Sequence, residues 1–276
     1  LGRLPIVALS SCLLVAVFAV ALRLFGPGAA AAALALAALS PDVLAHGSLV
    51  TTDLGFALFF FLSVVTFARA LDEPVPLRLG AAGLATGAAF ATKFSAPILV
   101  PVFLVLGLLA RRPRRLATAL AATGAVALLV VWTSYGFRPE LSPDPVVRAP
   151  LRAPLGAEVS GLLPRGVVAA GNAGLVPEDY ARGLLFVLTH SEARRTFLRG
   201  EISDHGFPHY FLVTFLVKTP VPLLLLVALA VVRIPRLERR HALVLWVPVL
   251  VYAAVTSTRG LQIGHRHLLP LYPFLF

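Results

Sequence analysis

The chain has 276 residues, of which 58% are hydrophobic and 13% charged; its mean hydropathy is +0.88 and its formal net charge +11. Soluble domains carry about a quarter charged residues, so a soluble fold is excluded. The excess positive charge does not call for nucleic acid, because the basic residues cluster between apolar runs, where membrane topology accounts for them.

Apolar segments are predicted at 4–25, 28–45, 54–71, 79–93, 95–110, 116–136, 210–232, 242–258 and 268–276. Several approach the ~20 residues that span a hydrocarbon core about 30 Å thick. Strand-period alternation is lacking, which argues against a membrane barrel. The expected fold is therefore all-α, a polytopic transmembrane helical bundle. The stretch 79–110 is too long for one upright helix and carries Lys93 and Pro97 near its middle, so two shorter helices turning at "TKFSAP" are predicted. Cys12 is the single cysteine and sits inside an apolar run, which rules out an internal disulfide. Residues 1–276 are expected to form one integral membrane domain, truncated at both ends, with 137–209 as a long extracytoplasmic loop within it.

Charge bias sets the predicted orientation. Arg23 and the connections "ARALDEPVPLR", "ARRPRR" and "RIPRLERR" fall on one face when nine segments alternate, and short basic loops mark the cytoplasmic side. The other face then receives Asp42, His46, Asp53, Lys93, the loop 137–209 with Glu201, Asp204 and His205, and the "STRGLQIGHRH" stretch. That asymmetry points to a site at the extracytoplasmic interface.

Four constellations carry the candidate chemistry. A helix running through 46–62 would put His46, Val50 and Asp53 on one face. Thr51, Thr52 or Asp53 itself can cap such a helix; the alternative is a carboxylate turned into a polar cavity. Lys93 ("KFSAPILVP") and Lys218 ("KTPVPLLLL") each precede prolines. Lys218 either snorkels to the interface or holds an anion such as a lipid phosphate. In "GHRHLLPLYPFLF", Arg266 suits phosphate oxygens, against the plainer role of interfacial anchor beside Tyr272. His265 and His267 lack clear carboxylate partners, so no metal site is assigned, although a divalent ion is left open. In "FLRGEISDHGFPHYFLVTFLVKTP", Glu201 and His205 sit at a loop end that is either solvated or substrate-facing.

In this order, "LSPDVLAHGSLVTTDLGFALFFFL", "GLATGAAFATKFSAPILVP", "FLRGEISDHGFPHYFLVTFLVKTPVPLLLL" and "IGHRHLLPLYPFLF" resemble the polyprenyl-phosphate-sugar-dependent glycosyltransferases of the GT-C fold. The likeness is to the bacterial family 39 group, related to protein O-mannosyltransferases and to the enzyme that adds aminoarabinose to lipid A. The resemblance implies a multi-pass protein of the bacterial inner membrane, with its active site on the periplasmic side. It implies inverting transfer from a polyprenyl-phosphate-linked sugar donor to a protein, lipid or polysaccharide acceptor, without a certain cofactor. The principal catalytic Asp of the family lies in a loop expected N-terminal to this stretch. What carries over is supporting machinery: Asp53, Glu201 and His205 in catalysis, and His46, Lys93, Lys218 and Arg266 in substrate binding. A secondary transporter or lipid translocase is the alternative, but such proteins favour inverted repeats and midplane charges, and neither is evident.

Overall fold

The computed structural model describes residues 2–139, 161–190, 195–257, 262 and 264–276. The described chain is almost wholly helical. In order it forms α1 (Leu4–Phe25), α2 (Pro27–Ala38), α3 (Pro41–Gly47), α4 (Thr52–Asp72), α5 (Pro76–Thr92), α6 (Leu99–Leu109) and α7 (Pro113–Ser134). After these come α8 (Leu162–Asn172), α9 (Glu178–His190), a hairpin of β1 (Thr196–Leu198) and β2 (Glu201–Ser203), α10 (Tyr210–Lys218), α11 (Val221–Arg233) and α12 (Arg239–Ser257). A 3₁₀ turn, His265–Leu271, leads into the short α13 (Tyr272–Leu275). This is an all-α membrane bundle.

Among the described residues, α1, α4, α7 and α12 are long and apolar enough to cross a bilayer. Two further spans are broken: α2 and α3 meet at 58°, and α10 meets the 221–236 segment at 120°. The segments 28–45 and 210–232, expected as single spans, are corrected accordingly. Both breaks fall where an extended residue precedes proline: Ser40 before Pro41 (ψ 123°) and Thr219 before Pro220 (ψ 133°). The proline ring disfavours the helical conformation in the residue before it, and proline has no N–H to continue the ladder. The turn predicted at "TKFSAP" is present. α5 ends with Lys93 extended (φ −153°, ψ 135°), and a short 3₁₀ turn at Ala96–Ile98 leads into α6.

Helix α4 is the buried axis. It is apolar nearly all round, and a helix of that kind belongs inside. Phe56, Phe60, Val64 and Phe67 have no exposed surface. The Phe67 ring stacks on Phe103 of α6 at 3.9 Å, and Phe60 meets Tyr252 of α12 edge-on at 5.5 Å. Gly83 and Gly87, one turn apart on α5, bring that helix against α7. A Cβ at Gly83 would stand 2.3 Å from Val126 Cβ, and one at Gly87 2.5 Å from Val130 Cβ. Small residues four apart are a common device for close approach of membrane helices.

The two ends of α4 differ in charge. At its C-terminal end, Asp72 is an arginine hub: Arg112 Nη1 reaches its carboxylate at 3.2 Å and Arg240 pairs with the other oxygen. Arg112 and Arg115 also donate to the Asp72 carbonyl, satisfying a helix end that has no partner of its own. Asp53 lies nineteen residues earlier, about 28 Å away at 1.5 Å per residue. That distance matches a bilayer core. The loop expected at 137–209 contains described structure. α8 and α9 pack over the α5–α7 pair, with the Trp132 indole donating to the Leu175 carbonyl at 3.0 Å. The hairpin turns at Arg199 (φ 54°) and Gly200 (φ 93°), a two-residue turn with both φ positive that suits strand twist.

Candidate active site

Asp53 sits in the first turn of α4, 6% exposed, where the helix dipole favours a negative charge. It is not a capping residue: the cap position, Thr51, is extended and no side chain caps the helix. The carboxylate turns sideways instead. Lys93 Nζ donates to Asp53 Oδ1 at 2.5 Å, and Arg266 Nε stands 4.0 Å from Oδ2. Lys93 Nζ also lies 5.8 Å from the centre of the Phe56 ring, whose face attracts a cation. Three segments separated by 40 and 173 residues thus place one anion between two cations.

The end of α5 explains the position of Lys93. Helix α5 is pressed against α7 by Gly83 and Gly87 and stops at Thr92, so the extended Lys93 projects across to the start of α4. Arg266 belongs to the 3₁₀ turn after Gly264 and keeps 43% of its side chain exposed. The cluster is therefore open on the arginine side and closed on the aspartate side.

His267 is a member that the sequence reading left out of the site. It is 8% exposed, and its carbonyl accepts a 2.7 Å hydrogen bond from the Tyr252 hydroxyl. Burial, reinforced by Lys93 and Arg266 and opposed by Asp53, pushes its imidazole down to about 4. Between that value and the ordinary 6.5, the unfolded chain binds more protons than the folded one. Stability therefore rises with pH across this window and is lost as pH falls, by up to roughly 1.4 kcal/mol per pH unit. The melting temperature of the purified protein should drop between pH 6.5 and 4. His267→Asn should flatten that slope; an unchanged slope would show that another group controls it.

Beside this cluster lies a second polar group that the sequence reading did not assemble. His265 Nε2 is 2.7 Å from the Tyr272 hydroxyl and 3.4 Å from Asp42 Oδ2. The same hydroxyl shares a 2.8 Å hydrogen bond with Thr219 Oγ1. His265, Tyr272 and Thr219 are all buried. The signal that could have found it is the pair of Xaa-Pro breaks: Asp42 lies just beyond one and Thr219 at the other.

The remaining candidates stand apart. His46 lies in the last turn of α3 and its Nδ1 is buried without a hydrogen-bond partner among the described residues; the break at 48–51 removes it from the Asp53 face. Glu201 is exposed on β2, opposite Leu198. His205 is exposed just after β2, its backbone N–H donating to Ser203 Oγ at 3.2 Å. Lys218 ends α10 and is exposed. Among the described residues, none of these four bonds to Asp53, Lys93 or Arg266. No cluster of three or more metal-ligating side chains occurs among the described residues.

An apolar cavity of about 440 Å³ lies under α8 and α9, lined by Phe90, Leu99, Phe103, Leu128, Val167 and Tyr180 among others. Phe90 lies three residues before Lys93, so the apolar cavity and the charged cluster share the end of α5.

Residues 2–135 match the family described as dolichyl-phosphate-mannose-protein mannosyltransferase. No curated protein and no solved structure matches the chain.

Proposed function

We propose that this chain, whose residues 2–135 match that mannosyltransferase family, is a GT-C membrane glycosyltransferase that transfers a sugar from a polyprenyl-phosphate donor, with Lys93 and Arg266 holding the phosphate. The observation that carries this reading is the convergence of Asp53, Lys93 and Arg266 at one end of the bundle. With His267 neutral, the cluster carries one net positive charge, the complement of a phosphodiester. The acceptor hydroxyl attacks the anomeric carbon, the carbon–oxygen bond to phosphate breaks, and its electron pair stays on the lipid phosphate. Negative charge therefore grows next to the two cations. A cation already in place stabilises that charge more than the ground state, typically by about 3 kcal/mol.

Asp53 is committed to Lys93, so its part is to fix the cations, not to take the acceptor's proton. That proton goes to a separate base. The apolar cavity, which Phe90 at the end of α5 helps to line, supports an amphiphilic donor, since it offers space for isoprene units. The site end of α4 lies away from the arginine hub at Asp72, which supports a periplasmic site in a bacterial inner membrane. The transfer inverts the anomeric centre by single displacement; the acceptor is a protein, lipid or polysaccharide hydroxyl.

The test is to supply purified, reconstituted protein with a panel of polyprenyl-phosphate sugars and measure release of polyprenyl phosphate. Donor-dependent release that requires an acceptor is the expected result. Liposome uptake of a solute or lipid, without breakage of any donor, would replace this reading with a translocase.

A further inference from the structure

Arg266 is flanked by two buried histidines, and the three side chains face different ways. A 3₁₀ helix turns three residues per revolution, so consecutive residues point about 120° apart. His265 faces Asp42 and Tyr272 and Arg266 faces Asp53, while the backbone carbonyl of His267 is held by Tyr252. Whatever fixes the rotation of this turn therefore fixes the direction of the guanidinium.

We infer that Thr219, Tyr272 and His265, joined by hydrogen bonds, and Asp42, ion-paired with His265, form a clamp that sets the rotation of the 265–271 turn, and that His265 and Tyr272 are positioning residues for the phosphate contact of Arg266. The inference rests on the reading of Arg266 as a phosphate ligand. Tyr272 is 1% exposed, and its hydroxyl meets Thr219 and His265 at 2.8 and 2.7 Å. A buried hydroxyl held by two partners is costly to displace, because moving it strands three polar groups at once. The clamp also joins both broken spans to the C-terminal turn. Asp42 sits in the first turn after the 58° break and Thr219 occupies the 120° break. Two separate ties secure the neighbouring stretch: Gln262 takes the Phe207 N–H at 2.7 Å and donates to the Phe207 carbonyl at 2.8 Å, and Tyr252 holds the His267 carbonyl. The clamp grips the turn at His265, the residue before Arg266, as the Tyr252 tie grips it at His267, the residue after.

The experiment measures the affinity of the purified protein, in nanodiscs, for a short polyprenyl phosphate used as probe. Tyr272→Phe removes one hydroxyl and keeps the ring; it should weaken binding about tenfold, which is ~1.4 kcal/mol. In an Arg266→Ala background the same change should cost nothing more, since a residue acting only through Arg266 is silent once that side chain is gone. Thr219→Ser should bind as the parent does, whereas Thr219→Val should resemble Tyr272→Phe and serves in its place if the phenylalanine variant does not fold. Parental affinity in Tyr272→Phe, or an equal loss with and without Arg266, overturns the clamp. Parental affinity in Arg266→Ala overturns the phosphate reading together with it.

Discussion

Lys93→Ala is expected to lower both stability and donor turnover more than any other single change at the site, turnover by at least 100-fold. The lysine and Asp53 form a tight pair whose side chains are 17% and 7% exposed. Removing one partner of such a pair strands the other, at a cost of about 3–5 kcal/mol when burial is complete. The partial exposure of Lys93 puts the expected loss at the lower end. Arg266 cannot take over, because its Nε stands at 4.0 Å and its side chain leans toward solvent. Turnover falls for a different reason: the leaving phosphate loses the nearer of its two cations. The double variant Asp53→Leu with Lys93→Met separates the two effects. An apolar pair of similar volume often matches a buried ion pair in stability. Melting temperature should therefore recover toward the parent while sugar transfer stays at least 100-fold down. Recovered turnover in the double variant would mean that the ion pair only holds the fold, and the lysine would leave the mechanism.

How much of this could be read from residues alone depends on the range of the information. The length and apolarity of α1, α4, α7 and α12 are local properties, and those helices appear where the runs of hydrophobic residues put them. The break at Lys93 was legible for the same reason, since a charge and a proline interrupt a run too long for one helix. The same proline rule acts at Ser40–Pro41 and Thr219–Pro220, yet there the flanking segments have the right total length for one span, and length hides the break. Three of the site candidates, Asp53, Lys93 and Arg266, meet, because each sits at the boundary of an apolar run on the same end of the bundle.

What was not legible is direction. His46 shares a helical spacing with Asp53, but the chain leaves the helix between them, so periodicity links residues that do not share a face. Glu201 and His205 are close in sequence to α10, yet the tight turn at Arg199–Gly200 carries them outward on a hairpin. The Asp42–His265 contact joins residues 223 positions apart through a 3₁₀ turn, whose three-residue period no apolar pattern announces. The family match ends at residue 135, so it covers Asp53 and Lys93 but not the arginine that completes their cluster.

A change more than 20 residues from Arg266's partner tests whether helix packing places the site. Gly87→Val should destabilise the protein by about 1–3 kcal/mol and lower donor turnover as well, although Gly87 touches no candidate ligand. Its added Cβ would stand 2.5 Å from Val130 Cβ and 2.9 Å from the Ala127 carbonyl oxygen. The Val130 Cβ stays in place whatever the rotamer, and the carbonyl is backbone, so α5 must move away from α7. Lys93 follows directly after α5, six residues on, and the cavity lined by Phe90 and Val131 lies between the same two helices. A shift of α5 therefore pulls the lysine off Asp53 and opens the apolar cavity in one step. Val130→Gly added to Gly87→Ala should return part of the melting temperature, because it removes the side-chain share of the overlap, Cβ included, and leaves the backbone share. Gly83→Ala has its nearest contacts with the Val126 side chain and a longer 3.2 Å approach to the Thr123 carbonyl, so Val126→Gly should restore it more completely. Equal rescue at both positions, or a Gly87→Val protein that melts and turns over like the parent, would show that close contact between α5 and α7 does not position Lys93.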